Sequence, residues 1–336
     1  MPHTTTASAT RLGKMRRIQR ISDADGFIRV AAIDHPENYV ALFDSDLSAV
    51  GFDEVVESKL ELIAGMAAHS TAVLVDPVWS FGQGIFSSSI PGTTGIISGV
   101  EQLAYSPQGF GTETVLRERW TVPLLAKLGT DGVKLVVFFR EEVEEVAKTQ
   151  RDLVAELAAQ CDAAEIPLIV EPLWYPLEGE DQADPTVRAA RVDAIVASAT
   201  TFAELGADIM KVEFPGYVDT AQGAEDAAAA CERLDSGLQI PWVLLSASAT
   251  FEQFRTQVRI ATLAGACGFM AGRAIWGDGV GRFDAERRAA GVRTACDRLD
   301  QLAEVLRTHG TGWRPANSVA DAIGALPGSW HETYER

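Results

Sequence analysis

The amino-acid sequence predicts one α/β domain closed into a (β/α)8 (TIM) barrel, and three observations predict it. Eight short runs rich in β-branched residues alternate with longer stretches of helical period. The runs are apolar almost throughout, as parallel strands buried on both faces require. The competing arrangement, an open nucleotide-binding sheet, should carry GxGxxG after its first strand. This chain has Ile33-Asp34-His35-Pro36-Glu37-Asn38 there, and no Walker A loop.

In chain order, residues 1–25 are polar and then basic and read as a flexible tail. The first strand is expected at Arg29–Asp34 and is followed by a helical pattern over Asp53–Ala68. The second, Thr71–Asp76, precedes Gly82–Pro91, so rich in Gly and Ser that it reads as a loop with one short turn. The third, Gly95–Gly99, leads to a helical pattern over Glu113–Leu128, and the fourth, Val133–Phe139, to one over Glu142–Ala164. Strands at Pro167–Leu173, Asp208–Pro215 and Trp242–Ala247 precede helices at Pro185–Leu205, Ala221–Leu234 and Thr250–Ala264. The eighth strand, Gly268–Ala274, and a helix over Asp284–Arg307 complete the count. Leu205-Gly206-Ala207 and Ala264-Gly265-Ala266 supply helix-ending turns just before the next strand. The barrel domain is therefore placed at 26–310, with 311–336 as a C-terminal extension of no assigned structure.

Composition narrows the function. A chain of 336 residues, 47% hydrophobic, can bury a core of barrel size. The net charge of −18 repels phosphate backbones and argues against nucleic-acid binding. The same field means that a phosphorylated substrate needs a local, well-built site. No apolar run approaches the ~18 residues that cross a bilayer, and no signal-peptide pattern follows the basic start. A cytoplasmic protein without membrane contact is expected. Cys161, Cys231, Cys267 and Cys296 show no CxxC pairing and read as reduced packing residues. The histidines are His3, His35, His69, His309 and His331, and only His35 sits at a strand end, so neither a metal nor another cofactor is expected. Oligomeric state is left open.

Charged residues interrupt the apolar strands. Alternation puts Lys211 on one face with Ile209 and Glu213, Glu171 with Ile169 and Leu173, Lys134 with Val136 and Phe138, and Asp34 with Ala32. Both faces of a barrel strand are buried, where an unpaired charge costs several kcal/mol. A structural ion network is one reading. A catalytic set is the other: Asp34, Glu171 and Lys211 lie in the C-terminal halves of their strands, where barrel active sites sit. A nucleophilic lysine must lose its proton, which a second cation such as Lys134 favours, and Glu171 is placed to shuttle protons. Ser246, Ala247, Gly272 and Arg273, at the ends of the seventh and eighth strands, have the parts of a phosphate site. Glu213 is read as a partner for a neighbouring cation.

The stretches DGVKLVVFF, IPLIVEP, ADIMKVEFP, LLSASATFEQF and GFMAGRAIW resemble the tagatose-1,6-bisphosphate aldolase family, within the DeoC-LacD-type class I aldolases, over roughly Ile33 to Gly277. The resemblance implies Lys211 as the Schiff-base lysine and Glu171 as proton shuttle. It also implies Lys134 and Asp34 as substrate-orienting residues, with Ser246, Gly272 and Arg273 at the phosphate. Two departures bear on substrate identity. The family commonly has Asp-Gln-Arg where this chain has Asp34-His35-Pro36, and a Gly where it has Ser248. Archaeal-type class I fructose-bisphosphate aldolases have Asp-His-Gly at the first of these.

The expected activity is cleavage of a phosphorylated ketose or keto-sugar acid, releasing dihydroxyacetone phosphate. A ketohexose bisphosphate, a sulfosugar phosphate and 2-deoxy-5-keto-gluconate 6-phosphate are the candidate substrates. A charged His35 would favour an acidic second half. A deoxyribose-phosphate-type aldolase fits less well, because LLSASA lacks the second lysine of that group. The same scaffold could also sense a sugar phosphate without turning it over. A metal-dependent enzyme on it would need clustered ligands that the five scattered histidines do not supply.

Overall fold

The computed structural model describes residues 11–102, 113–313 and 317–334. Its centre is a closed barrel of parallel strands β1 (Ile28–Ala32), β2 (Ala72–Val75), β3 (Gly95–Gly99), β4 (Gly132–Phe138), β5 (Leu168–Leu173), β6 (Ile209–Val212), β7 (Trp242–Leu245) and β8 (Gly268–Ala271). Each strand pairs with the next and β1 closes on β8. The expected fold is therefore the observed one. The expected runs overreached mainly at their C-terminal ends. Asp34, Glu213 and Ala247 lie just past their strands, on the face where parallel barrels place their chemistry.

Strand alternation builds two apolar layers. Ile28, Val30, Ala32, Leu74, Ile97, Ile169, Ile209, Val243 and Met270 fill the barrel interior. Ala31, Val73, Leu135, Val170, Met210, Leu244 and Phe269 face the surrounding helices. Lys134, Glu171 and Lys211 keep the inward parity of Gly132, Ile169 and Ile209, so they rise from the interior layer toward the mouth. Local signals start the helices. Asp184 accepts from the Thr186 N–H ahead of Pro185, and Thr250 forms a reciprocal cap with Gln253 before Phe251–Ala264.

Two segments depart from expectation. Residues 12–21 are not a loose tail but a helix, Leu12–Ile21, lying across the base of the barrel. Its Ile18 and Ile21 pack against the interior layer from below, with Trp313. Its basic residues meet acids at the ends of the segments that lead into β4, β5 and β6. Lys14 Nζ pairs with Asp208 Oδ2 at 2.7 Å and with Asp162, Arg20 Nε pairs with Asp131 Oδ1 at 2.8 Å, and Arg17 donates to Thr130 O. Residues 1–10 lie outside the described residues.

Within 113–128, Val115–Leu116 instead pairs antiparallel with Glu101–Gln102, and the helix is confined to Val122–Lys127, where Pro123 suits a first turn. The Gly- and Ser-rich segment holds one short helix, Phe81–Phe86, as expected. In the extension, Val319–Ala325 and Trp330–Thr333 are helical. Tyr334 Oη donates to Glu165 and accepts from the Leu12 N–H, tying the extension to the basal helix.

Among the described residues, no helix is long and apolar enough to cross a membrane. All four cysteines are free, three of them buried.

Candidate active site

Two neighbouring strands in register create the central pair. Ile169 of β5 stands beside Ile209 of β6, so two residues on Glu171 stands beside Lys211. Lys211 Nζ donates to Glu171 Oε2 at 3.0 Å, with the two residues only 5% and 7% exposed. Lys134 starts one pleat lower, opposite Ile169, but its long side chain climbs into the same layer. Its Nζ stands 3.0 Å from Glu171 Oε2, 3.1 Å from Asp34 Oδ2 and 2.8 Å from Glu101 Oε1. Two lysines thus share one carboxylate oxygen, and one of them gathers three carboxylates.

The protonation states follow from that arrangement. Burial opposes a charge on Lys134, but Asp34, Glu101 and Glu171 outweigh it and raise its pKa well above the ordinary range. Burial likewise opposes charge on Glu171, and Lys134 and Lys211 outweigh it, holding the carboxyl below its usual value. Asp34 is also depressed, since Lys134, Lys211 and His35 together overcome its burial. Lys134 is therefore a fixed cation beside Lys211, and Glu171 an ionised hydrogen-bond acceptor for both lysines.

The other expected residues gather on the adjoining wall. Ser246 is buried, and its Oγ accepts from the Gly272 N–H at 3.4 Å. Ala249 N–H donates to Ser246 O, which leaves the N–H groups of Ala247 and Ser248 outside that turn's bond. Ala247 sits at φ 43, a left-handed conformation that is uncommon for a residue with a Cβ. Arg273 is exposed and opens the short helix Arg273–Trp276. Gly272 is required for space, because a Cβ there would collide with the His35 ring. That ring also stands edge-on to Trp276, whose Nε1 donates to Ala32 O at 2.9 Å.

His35 corrects one expectation. It does not carry charge near neutral pH: burial lowers its pKa to about 4, helped by Lys211, Arg273 and Lys59 and resisted by Asp34. Its Nδ1 is buried without a hydrogen-bond partner among the described residues. It offers a neutral imidazole to a ligand, not a cation.

Glu213 is paired with a cation as anticipated, its Oε1 2.8 Å from Arg191 Nη2, and it also accepts the Trp174 N–H. Two participants escaped the sequence reading. Glu101 follows Ile97 and Gly99 at the inward parity, and extending the third run by one pleat would have revealed it. Lys59 is fully buried on helix Phe52–Met66, with Nζ donating to Ile33 O, His35 O and Asp76 Oδ2, so it braces the backbone on both sides of Asp34. Nothing in a helical pattern marks such a lysine. Among the described residues, no group of three His, Cys, Asp or Glu stands as a metal-ion site.

A family model described as DeoC/LacD family aldolase matches residues 45–278. A tagatose 1,6-diphosphate aldolase of Enterococcus faecalis is 23% identical over 311 residues, covering 88% of this chain and 94% of that protein. A second from the same organism is 25% identical over 335 residues, covering 95% and 96%. Among solved structures, a Schiff-base-forming fructose-1,6-bisphosphate aldolase superposes with a TM-score of 0.58 at 18% identity, over 87% of this chain and 99% of that one. A fructose-bisphosphate aldolase of Plasmodium falciparum gives 0.64 at 14% identity, over 93% and 100%.

Proposed function

The chain belongs to the DeoC/LacD family of aldolases, and from that premise we propose that it cleaves a phosphorylated ketose through a Schiff base on Lys211, releasing dihydroxyacetone phosphate. The observation that carries the reading is the buried Lys211–Glu171 contact of 3.0 Å beside the cation Lys134. Lys211 passes a proton to Glu171 and attacks the C2 ketone, and Glu171 returns that proton to the carbinolamine hydroxyl, which leaves as water and leaves an iminium ion. Glu171 then takes the proton of the C4 hydroxyl, and the C3–C4 bond breaks to give an aldehyde. Its electron pair forms an enamine with the iminium carbon. Protonation at C3 and hydrolysis free the ketone phosphate and restore the lysine. Lys134 keeps Glu171 and Asp34 ionised and oriented. Ser246, Ala247, Gly272 and Arg273 hold the phosphate, through a hydroxyl, backbone N–H groups and one exposed cation. Tagatose- and fructose-bisphosphate cleavage by the similar proteins supports this reading at the level of substrate class.

Borohydride trapping with intact-mass analysis tests it. Dihydroxyacetone phosphate should give a stable adduct that maps to Lys211 and is lost in Lys211→Met. Binding of dihydroxyacetone phosphate without any adduct would instead favour a barrel that senses sugar phosphates.

A further inference from the structure

Lys134 gathers three carboxylates, and the backbone does not hold the three alike. Glu171 lies within β5, which pairs with β4 and β6, and Glu101 lies in the hairpin of Glu101–Gln102 with Val115–Leu116. Ladders fix both. Asp34 stands two residues beyond β1, in a stretch that belongs to no strand or helix. Pro36 follows it closely and has no N–H with which to anchor the segment.

Something other than a ladder must set Asp34 in place, and Lys59 has the bonds to do it. Its Nζ is wholly buried and donates to Ile33 O and His35 O, the carbonyls on either side of Asp34, at 2.9 Å each. Its third bond, of 2.6 Å, goes to Asp76 Oδ2 at the end of β2. Asp76 is fixed in turn, because Oδ1 accepts the N–H groups of Val78 and Trp79 and Oδ2 accepts the Ser80 hydroxyl. The rings of Tyr39 and Trp79 flank the ammonium, with centroids at 4.9 and 5.2 Å. The ammonium therefore has one position, and so have the two carbonyls it holds. Stability alone is a poor reason for such a pair, since apolar residues of similar volume in place of a buried ion pair are often neutral or stabilising. Precision is a better one: a misplacement of about 1 Å can cost about 100-fold in rate.

We propose that Lys59 is a positioning residue for the chemistry at Lys211: it fixes Asp34 against Lys134, and through Asp34 the place of Lys134 beside Glu171. The contacts form one chain, from the two carbonyls to Asp34, from Asp34 Oδ2 to Lys134 Nζ at 3.1 Å, and from Lys134 Nζ to Glu171 Oε2 at 3.0 Å. None of the bonds of Lys59 reaches the loops after β7 and β8. Its loss should therefore fall on proton transfer and not on capture of the phosphate. The inference rests on the Schiff-base reading and adds to it a residue that never touches the substrate.

The test uses dihydroxyacetone phosphate alone, whose hydroxymethyl carbon exchanges hydrogen for solvent deuterium through the imine and enamine on Lys211. Lys59→Met should lower kcat for that exchange by about 10- to 100-fold and leave KM within about twofold of the wild type. The single variant strands Asp76 without its cation, so Lys59→Met/Asp76→Asn is measured beside it. This uncharged pair should recover the thermal midpoint that Lys59→Met loses, without recovering kcat, and it carries the test if the single variant does not fold. Amide hydrogen exchange over residues 33–40 should quicken in the double variant, while β5 and β6 keep their protection. A kcat that returns together with the midpoint, a KM that rises as kcat falls, or unchanged amide exchange over residues 33–40 overturns the inference. Failure of wild-type protein to give a borohydride-trapped adduct with dihydroxyacetone phosphate would instead overturn the Schiff-base reading beneath it.

Discussion

A single histidine gives the site its most accessible pH signature. His35 has an ordinary value of 6.5 and is pulled down to about 4 by burial and neighbouring cations. Between those values the unfolded chain binds a proton that the native state refuses, so stability falls as pH drops through this window. Glu171 and Asp34 act in the same direction, but only below their ordinary values of 4.5 and 3.8. The interval from about pH 6.5 to 5 therefore isolates His35 from these two carboxylates. Urea unfolding across that interval should show a shallower pH dependence for His35→Gln than for the wild type. Equal slopes would mean that the imidazole is charged in the folded protein. At this scale most of the site is legible in the sequence: an alternating strand exposes a misplaced charge, and parity alone singles out Asp34, Lys134, Glu171 and Lys211. Glu101 escapes only because it stands one pleat beyond the apolar run of its strand.

The basal helix Leu12–Ile21 shows what an element can conceal. Its segment has the composition of a basic tail, and its apolar residues Leu12, Met15, Ile18 and Ile21 form a stripe too sparse to stand out. Its partners, Asp131 and Asp208 on loops and Asp162 in the last turn of helix Glu144–Ala163, lie over 100 residues away, so only closure of the barrel brings them together. Lys14 is 6% exposed at the centre of this contact. Lys14→Met should destabilise the protein by about 2–4 kcal/mol, because it leaves Asp208 desolvated without its cation. A denaturant midpoint within error of the wild type would show the helix to be a passive cover. The short helix Val122–Lys127 teaches a related lesson. Residues with helical spacing are drawn into a hairpin by Glu101–Gln102, a tertiary pairing that outweighs local pattern.

Across the whole molecule, charge is far from balanced. At a net charge of −18 the native state repels itself, and this repulsion is long-ranged while its ion pairs are short. Raising monovalent salt from about 10 mM to about 150 mM shortens the screening length from ~30 Å to ~8 Å, which relaxes the repulsion more than the contacts. The thermal midpoint should rise over that range. A fall would mean that networks such as the one at the barrel base dominate the electrostatics. The sequence by itself determined the (β/α)8 architecture, the strand faces and the inward lysine and glutamate, because strand period and apolar burial are local properties written along the chain. Only the tertiary structure decided that Lys134 serves three carboxylates, that His35 is neutral, and that Lys59 braces the first strand's end. Each of these depends on the field and burial created by residues distant in sequence, which no local period can carry.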